Sequence, residues 1–267
     1  MSFPNDDLSL VLDVPVSVTV AGTPLHLRTG GTGAPLLILH HDIGSPDRPA
    51  LHETLAARFT VMAPAHPGYD DSPRPAWLKN VRDVAVLYQT LLADRGLTGV
   101  TCVGLGFGGW IAAEMATMAP AQLKRLVLVG AMGIKPERGD IMDQALMSYI
   151  EYIRAGFHDQ AALERAYGTE LPTPLLERWD VNRETTFRIA WRPYMFNPSL
   201  PHLLGGVKTP TLVIWGAEDR VVPLECGERY TKTLPSATLS VIERAGHLVD
   251  MERPAEVARA IIDFAAA

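Results

Sequence analysis

The chain carries short apolar runs, each about the length of one β-strand, that recur along the sequence with helical patterns between them. From residue 35 onward most runs are apolar throughout, as expected of strands buried on both faces of a sheet. The two earliest runs lie close together and predict an antiparallel pair. Strand–helix alternation then predicts an α/β fold, with a mostly parallel sheet and helices on both faces. The eight predicted strands cover residues 14–21, 25–28, 35–41, 59–65, 100–104, 125–130, 211–216 and 238–243.

One long segment interrupts this alternation. Residues 134–206 contain no convincing strand and predict helices over 140–155, 160–167, 174–179 and 182–191, with many aromatic side chains. A helical insertion of this kind predicts a cap over the sheet edge at which strands end, which is where open α/β sheets bind ligands. We therefore predict a body of residues 1–133 and 207–267, with residues 134–206 as the cap.

Composition excludes several classes of function. The formal net charge of −6 argues against a nucleic-acid partner, which requires a basic face. No apolar stretch reaches 18 residues, so no membrane span is expected, and the first residues lack the basic region of a secretory signal. Cys102 and Cys226 form neither a disulfide framework nor a metal-binding spacing. The expected protein is cytoplasmic, and a homodimer is left open.

Three motifs follow predicted strands and carry chemistry. The stretch Gly104–Gly108 lies between a strand and a helix, which is the context of a nucleophile elbow, G-x-S-x-G. Asp219 stands in the loop WGAEDRVVP, and His247 stands in AGHL. The order elbow, Asp, His is that of the α/β-hydrolase triad. The stretch 39–44 ends another strand, where an oxyanion-hole loop belongs.

Together these motifs resemble the α/β-hydrolase superfamily over nearly the whole chain. The turn PGYDDS at residues 67–72 adds to the likeness, because it is similar to the PGxGxS turn of the family. The closest likeness is to the lidded branch of esterase-like enzymes and hydrolases of carbon–carbon bonds in aromatic ring-cleavage products. The resemblance implies the α/β-hydrolase fold with a helical lid, a small-molecule substrate and no cofactor.

The sequence departs from the family at the nucleophile. Gly106 occupies that position, and glycine cannot attack a substrate or hold an acyl group, so a covalent intermediate at this residue is excluded. Asp219 could still orient His247 and stabilise its charged form, with Glu218 and Asp250 as alternative acids. The backbone N–H groups of Asp42 and Phe107 could still form an oxyanion hole, because backbone donors do not depend on the missing side chain.

Four functions remain open. The favoured one is hydrolysis of a small apolar or aromatic ester, lactone or carbon–carbon substrate, with His247 and Asp219 as general base on water. The same dyad could abstract a proton from the substrate, as a lyase, isomerase or cofactor-free oxygenase. The protein could bind a ligand without catalysis, or it could be a serine-to-glycine variant of a serine hydrolase. The glycines at 104, 106 and 109 also spell a dinucleotide fingerprint, but no acidic residue ends the next strand.

Each remaining candidate for the substrate pocket has a structural or surface role as its alternative. His40 matches the histidine that fixes the oxyanion loop in the family, whereas His41 replaces a glycine and either enters the pocket or only packs. Trp110, Arg188 and Trp191 are candidate pocket residues, although a surface ion pair is the alternative for Arg188. His40, His41 and His66 with Asp42 lack a compact ligand spacing, so no metal site is predicted.

Overall fold

A computed structural model describes residues 15–47, 49–70 and 72–267, so the start of the predicted body lies outside the described residues. Eight strands form one sheet: β1 (Val16–Val20), β2 (Thr23–Gly30), β3 (Ala34–Leu39), β4 (Phe59–Pro64), β5 (Val100–Leu105), β6 (Leu123–Val129), β7 (Thr211–Gly216) and β8 (Ala237–Ile242). The helices are α1 (Ala50–Ala56), α2 (Val81–Asp94), α3 (Phe107–Met118), α4 (Tyr149–Gly156), α5 (Gln160–Tyr167), α6 (Thr173–Ala190), α7 (Leu200–Leu204), α8 (Leu224–Thr233), α9 (Val249–Glu252) and α10 (Pro254–Ala266).

The sheet has the strand order β1-β2-β4-β3-β5-β6-β7-β8. β2 pairs antiparallel with both β1 and β4, whereas the pairs from β4 through β8 are all parallel. The central strands β5 and β7 are buried along their entire length, which explains why their sequences are apolar without alternation. The chain has the α/β-hydrolase fold, as predicted.

Two apolar cores lie on opposite faces of the sheet. One contains the buried faces of α2, α3 and α8, and the other contains those of α1 and α10. Successive residues of β5 point to opposite faces, so Cys102 joins the first core while Val103 joins the second. The predicted helices on both faces are therefore present. No helix among the described residues is long and apolar enough to cross a membrane.

Capping residues explain where several helices begin, and they correct some of the predicted boundaries. The Asn80 side chain accepts the backbone N–H of Asp83 and so caps α2, as expected. The predicted helix over 140–155 is too long, because Ser148 and Glu151 form a capping box and α4 begins only at Tyr149. The two helices predicted over 174–191 are one continuous helix, α6.

The segment between β6 and β7 lies over the carboxyl ends of the parallel strands. This segment contains α4 to α7 and one short 3-10 helix (Gln144–Leu146), with isolated β-bridges but no strand of the sheet. Asn182 of α6 donates to the carbonyl of Ile43 at 3.0 Å, and the hydroxyls of Tyr69 and Thr186 lie 2.7 Å apart. The segment is thus fastened to loops of the sheet edge at which the candidate site residues lie.

Candidate functional site

The candidate site lies where several parallel strands end. His41 and Asp42 follow β3, and Gly106 follows β5. Asp219 follows β7, and His247 lies between β8 and α9. Because the carboxyl ends of parallel strands share one edge of a sheet, these residues come together although they are distant in sequence.

Gly106 forms a sharp turn between β5 and α3. Its backbone has φ +50° and ψ −109°, a conformation that residues with a side chain adopt only under strain. The turn is held because its N–H donates to the Val129 carbonyl at 2.8 Å and its carbonyl accepts from Met132 at 3.0 Å. A Cβ at this position would lie 2.4 Å from His41 Nδ1 and 3.1 Å from His247 Nε2. The His41 ring thus lies against the place where a nucleophilic side chain would begin.

His247 and Asp219 form a buried dyad. The Nδ1 of His247 donates to Asp219 Oδ2 at 2.9 Å, and the two side chains are 2% and 0% exposed. The other carboxylate oxygen of Asp219 accepts the backbone N–H groups of Val221 and Val222, both at 2.8 Å. The carboxylate is therefore fixed by its own loop, and it orients the imidazole so that Nε2 faces Gly106.

The charges around His247 favour its protonated form. Burial lowers the pKa of His247, but the charge and hydrogen bond of Asp219 raise it, and Asp42 and Asp250 raise it further. The net effect is a pKa above the usual value for histidine. Such an environment stabilises an imidazolium once the ring has taken a proton, which suits a general base.

A second histidine–carboxylate pair faces the first. His41 Nε2 donates to Asp250 Oδ1 at 2.8 Å, with side chains 1% and 5% exposed. The rings of His41 and His247 meet edge to face, with centroids 5.4 Å apart. The sequence left Asp250 open as an alternative acid for His247, but in the structure Asp250 accepts a hydrogen bond from His41. No local pattern in the sequence reveals this pair, since 209 residues separate its members.

Asp42 connects the site to the cap. Its Oδ2 accepts the hydroxyl of Tyr152, on α4, at 2.8 Å and also accepts the side-chain amide of Gln144. Gln144 is fully buried. Neither Gln144 nor Tyr152 was a predicted site residue, and only the abundance of aromatic residues in this segment pointed toward Tyr152. The cap therefore supplies polar groups, as well as apolar surface, to the strand-end edge.

His40 has the contacts of a residue that fixes a loop. Its Nδ1 donates to the His41 carbonyl at 2.6 Å, while its Nε2 accepts the backbone N–H of His66 at 2.8 Å. His66 in turn bonds to the His40 carbonyl and to the hydroxyl of Tyr88. Burial lowers the pKa of both His40 and His66, which keeps both rings neutral. His40 thus uses both ring nitrogens within the protein and offers neither to a substrate.

Three predicted pocket residues lie elsewhere. Trp110 is 5% exposed, belongs to the core beneath α3, and donates its indole N–H to Glu114. Arg188 faces solvent and pairs with Glu184 one helical turn earlier, so the alternative of a surface ion pair describes it. Trp191 is 43% exposed and packs on Phe187. These side chains thus point into the core or toward water, and their assignment to the pocket stays a prediction.

The backbone N–H groups proposed for an oxyanion hole belong to suitable elements. Phe107 is the first residue of α3, and the N–H groups of a first helical turn have no partner within the helix. Asp42 lies in a tight turn that the hydrogen bond from Gly44 to the His41 carbonyl closes at 3.0 Å. The oxyanion hole of Asp42 and Phe107 stays a prediction.

The candidate site is closed from solvent. His41, Asp42 and His247 are each 2% exposed or less. Two cavities, of about 210 and 430 Å³, open elsewhere on the described residues, and His247 lines neither. Neither of these two cavities therefore leads to His247, and the contacts of Asp42 with Gln144 and Tyr152 hold the segment between β6 and β7 against the site.

The chain is similar to several hydrolases. Residues 36–260 match the alpha/beta hydrolase family. A 2-hydroxy-6-oxononadienedioate/2-hydroxy-6-oxononatrienedioate hydrolase of Burkholderia vietnamiensis is 29% identical over 276 residues, covering 93% of this chain and 94% of its own. A 2-hydroxymuconate semialdehyde hydrolase of a Pseudomonas species is 28% identical, with 93% of both chains covered. The crystal structure of a bacterial membrane phospholipase A has a TM-score of 0.82 and 25% identity, covering 96% of this chain and 87% of its own.

Proposed function

The chain belongs to the alpha/beta hydrolase family, and from that premise we propose that it hydrolyses a small apolar or aromatic ester, lactone or carbon–carbon substrate with water as the nucleophile. The observation that carries this proposal is the buried His247–Asp219 dyad, whose Nε2 faces Gly106 rather than a nucleophilic side chain. The dyad retains a proton acceptor, but residue 106 offers nothing to acylate. Water is the nucleophile that this combination leaves.

The proposed reaction assigns one task to each group. His247 Nε2 takes a proton from water, and the resulting hydroxide adds to the carbonyl carbon of the substrate. Asp219 stabilises the imidazolium, while the N–H groups of Phe107 and Asp42 stabilise the negative oxygen. The bond to the leaving carbon or oxygen then breaks, and the leaving group receives the proton from His247. One water is consumed, and no covalent enzyme intermediate forms.

The relatives indicate which substrate to test first. The two curated relatives are named as hydrolases of a 2-hydroxy-6-oxo dienedioate and of 2-hydroxymuconate semialdehyde. Cleavage of such a compound by water breaks a carbon–carbon bond next to a carbonyl group. We extend this substrate class to the present chain, with ring-fission dienoates as first candidates and nitrophenyl esters as the ester alternative.

The test compares His247→Ala with the exposed His202→Ala as a matched control. We expect the His247 variant to lose about 10²–10⁴-fold in kcat on the ring-fission dienoate, the range for removal of a general base. The control should retain the wild-type rate, because His202 is exposed on α7. Disappearance of the dienoate chromophore gives both rates. Unchanged turnover in His247→Ala would exclude the proposed base.

Heavy-oxygen water distinguishes hydrolysis from the alternatives that use the same dyad. Hydrolysis places one labelled oxygen in the carboxylic acid product, as mass spectrometry would show. A lyase or isomerase that only moves a substrate proton leaves the product unlabelled. A ligand-binding protein without catalysis gives no product in multiple turnovers, although it holds the substrate.

A further inference from the structure

Three buried side chains direct one donor atom each toward a common point. His41, Asp42 and His247 each offer a ligand atom, and these atoms all lie within 4.8 Å of one another. His41 and Asp42 come from the end of β3, whereas His247 comes from the loop after β8. The fold therefore assembles a group of two imidazoles and a carboxylate that no short sequence spacing reveals.

Each of the three side chains has one buried polar atom that lacks a hydrogen-bond partner in the part of the chain that the structure describes. His41 Nδ1, Asp42 Oδ1 and His247 Nε2 are all buried and have no hydrogen bond among the described residues. A buried polar atom without a partner is costly, so natural proteins rarely retain one without a reason. Here His41 Nδ1 and His247 Nε2 both lie beside Gly106, in a group that also contains the Asp42 carboxylate, which indicates a ligand with positive charge or hydrogen-bond donors.

The opposite sides of the three groups are fully bonded. Asp250 accepts from His41 Nε2 at 2.8 Å, and Asp219 accepts from His247 Nδ1 at 2.9 Å. When the rings are neutral, these bonds select the tautomers in which both remaining ring nitrogens carry a lone pair. The other oxygen of Asp42 accepts from Tyr152 and Gln144. Carboxylates behind ligating histidines are the usual outer partners at metal sites, because they fix the tautomer and raise the basicity of the ligand.

Gly106 keeps the meeting point clear of side-chain atoms. A Cβ on this residue would lie 2.4 Å from His41 Nδ1 and 3.1 Å from His247 Nε2. Any residue other than glycine would therefore put an atom beside both imidazole lone pairs. The glycine that removes the nucleophile also leaves room between the two histidines.

We propose that His41 Nδ1, His247 Nε2 and the Asp42 carboxylate bind one divalent transition-metal ion, with zinc matching the donor set best. Two imidazoles and one carboxylate with an open fourth position form a ligand set of catalytic zinc sites. Calcium and magnesium prefer oxygen ligands alone, so the two imidazoles argue against them. The carboxylates of Asp219 and Asp250 behind the rings add negative charge that favours a cation.

Binding requires only a small movement of the side chains. Ligands that lie 2.0–2.1 Å from a tetrahedral zinc ion are about 3.4 Å apart. Since the three donor atoms already lie within 4.8 Å of one another, each pair must approach by no more than about 1.4 Å. Small rotations of the three side chains can bring the ligand atoms this much closer together.

Metal binding would keep the hydrolysis of the proposed function but would replace His247 as the group that activates water. His247 Nε2 cannot hold an ion and accept a proton at once, so the ion replaces the imidazole as the activator. A bound zinc ion lowers the pKa of its water to about 7, which supplies hydroxide near neutral pH. The overall reaction would be unchanged: hydroxide would add to the acyl carbon, the proton released from water would pass to solvent, and the leaving group would take a proton from solvent as its bond to the acyl carbon breaks. This consequence rests on the proposed function, whereas metal binding does not.

The test measures metal binding without any substrate. Protein without an affinity tag is stripped with a chelator and titrated with Co²⁺, followed by its visible d–d bands, and with Zn²⁺ by calorimetry. We expect one equivalent to bind, with the intense bands of four- or five-coordinate cobalt. His41→Ala should lose at least 100-fold in affinity, and Asp250→Asn about 10–100-fold as an outer-partner variant. The exposed His202→Ala should bind like the wild type.

Gly106→Ala provides the most selective variant, because it retains all three ligands and only fills the space between them. We expect it to lose the cobalt bands while circular dichroism shows a retained fold. The proposal is overturned if the stripped wild type takes up no cobalt or zinc. It is equally overturned if Gly106→Ala and His41→Ala bind as tightly as the wild type.

The same preparations separate failure of this inference from failure of the proposed function. Full turnover by the chelator-stripped protein, with His247→Ala inactive, would overturn the metal role and support a free imidazole base. Stoichiometric cobalt binding by a protein that cleaves neither dienoates nor esters would support the metal site and contradict the proposed function. Activity that disappears on stripping and returns with zinc would support the metal site and the hydrolysis, and it would contradict His247 as the base.

Discussion

Gly106 and His41 depend on each other because they compete for the same space. The family pattern has a nucleophilic side chain at the elbow and a glycine after the histidine of the oxyanion loop. This chain has Gly106 at the elbow and His41 in place of that glycine. The His41 ring lies where a Cβ at position 106 would come within 2.4 Å of Nδ1. Asp250 holds that ring in place. A serine at position 106 is therefore incompatible with His41 in this position, which argues against a simple serine-to-glycine variant.

This coupling predicts the behaviour of serine substitutions at residue 106. Gly106→Ser alone should gain no acyl-enzyme chemistry, and it should destabilise the fold by about 1–3 kcal/mol through backbone strain and the contact with His41. The double variant Gly106→Ser with His41→Gly restores the family pattern. It should show a burst of nitrophenol from nitrophenyl acetate, because the new hydroxyl lies near His247 Nε2.

Chemical denaturation and burst kinetics check both variants, with His41→Gly alone as the control. His41→Gly lacks a nucleophile and should show no burst. A full burst in the single Gly106→Ser variant would show that the His41 ring moves away readily. It would then favour the interpretation that the glycine replaces an ordinary serine nucleophile.

At the scale of elements, α6 fastens the cap to the loops of the sheet edge. Asn182 is fully buried, and its amide donates to the Ile43 carbonyl at 3.0 Å and to Asp70 Oδ1 at 3.1 Å. Its amide oxygen accepts the backbone N–H of Asp70 at 3.2 Å. One side chain thus joins α6 to two different loops, and this joint must loosen if the cap is to open over His247.

Loss of this joint should open the cap before the body unfolds. Asn182→Ala leaves polar groups of Ile43 and Asp70 without their partner, at a cost of about 1–3 kcal/mol. We expect trypsin to cleave α6, which carries Arg178 and Arg183, faster than the change in global stability predicts. Limited proteolysis with mass spectrometry and urea denaturation give the two quantities. The neighbouring Val181→Ala, at a position 53% exposed, should match the wild type.

At the scale of the whole molecule, neutral buried histidines make stability depend on pH. Burial lowers the pKa of His52 from 6.5 to about 4, with Asp250 opposing this shift and His40 and Arg28 adding to it. In the unfolded chain His52 therefore takes up a proton near pH 6.5, whereas in the folded protein it takes up that proton only near pH 4. The contribution to stability is complete above pH 6.5 and is lost as pH falls toward 4.

Replacement of His52 should reduce this acid sensitivity. The shift corresponds to about 3 kcal/mol across the interval, as an upper order of magnitude. His52→Leu removes the titrating ring, so the free energy of unfolding should fall less between pH 7 and 4.5 than in the wild type. Denaturation at several pH values gives the slopes. The exposed His202→Leu should leave the slope unchanged, and an equal slope in His52→Leu would contradict the assignment.

The sequence by itself determined the elements whose signals are local. Fully apolar runs predicted the strands of the sheet because burial on both faces demands them, and Asn80 predicted the start of α2 because its cap involves only neighbouring residues. Position after a strand also singled out Asp219 and His247, which form a dyad in the structure. Longer helices were predicted less well. The helix predicted over 140–155 began too early, although the capping box of Ser148 and Glu151 that marks its start is a local signal.

Only the tertiary structure decided which of these residues meet. His41 pairs with Asp250 across 209 positions, and Gln144 and Tyr152 reach Asp42 across 102 and 110. Parallel strand order sets these contacts, since it gathers distant loops at one edge, and no periodicity in the chain records that order. For the same reason the sequence predicted no metal site, although the fold brings His41, Asp42 and His247 within 4.8 Å of one another.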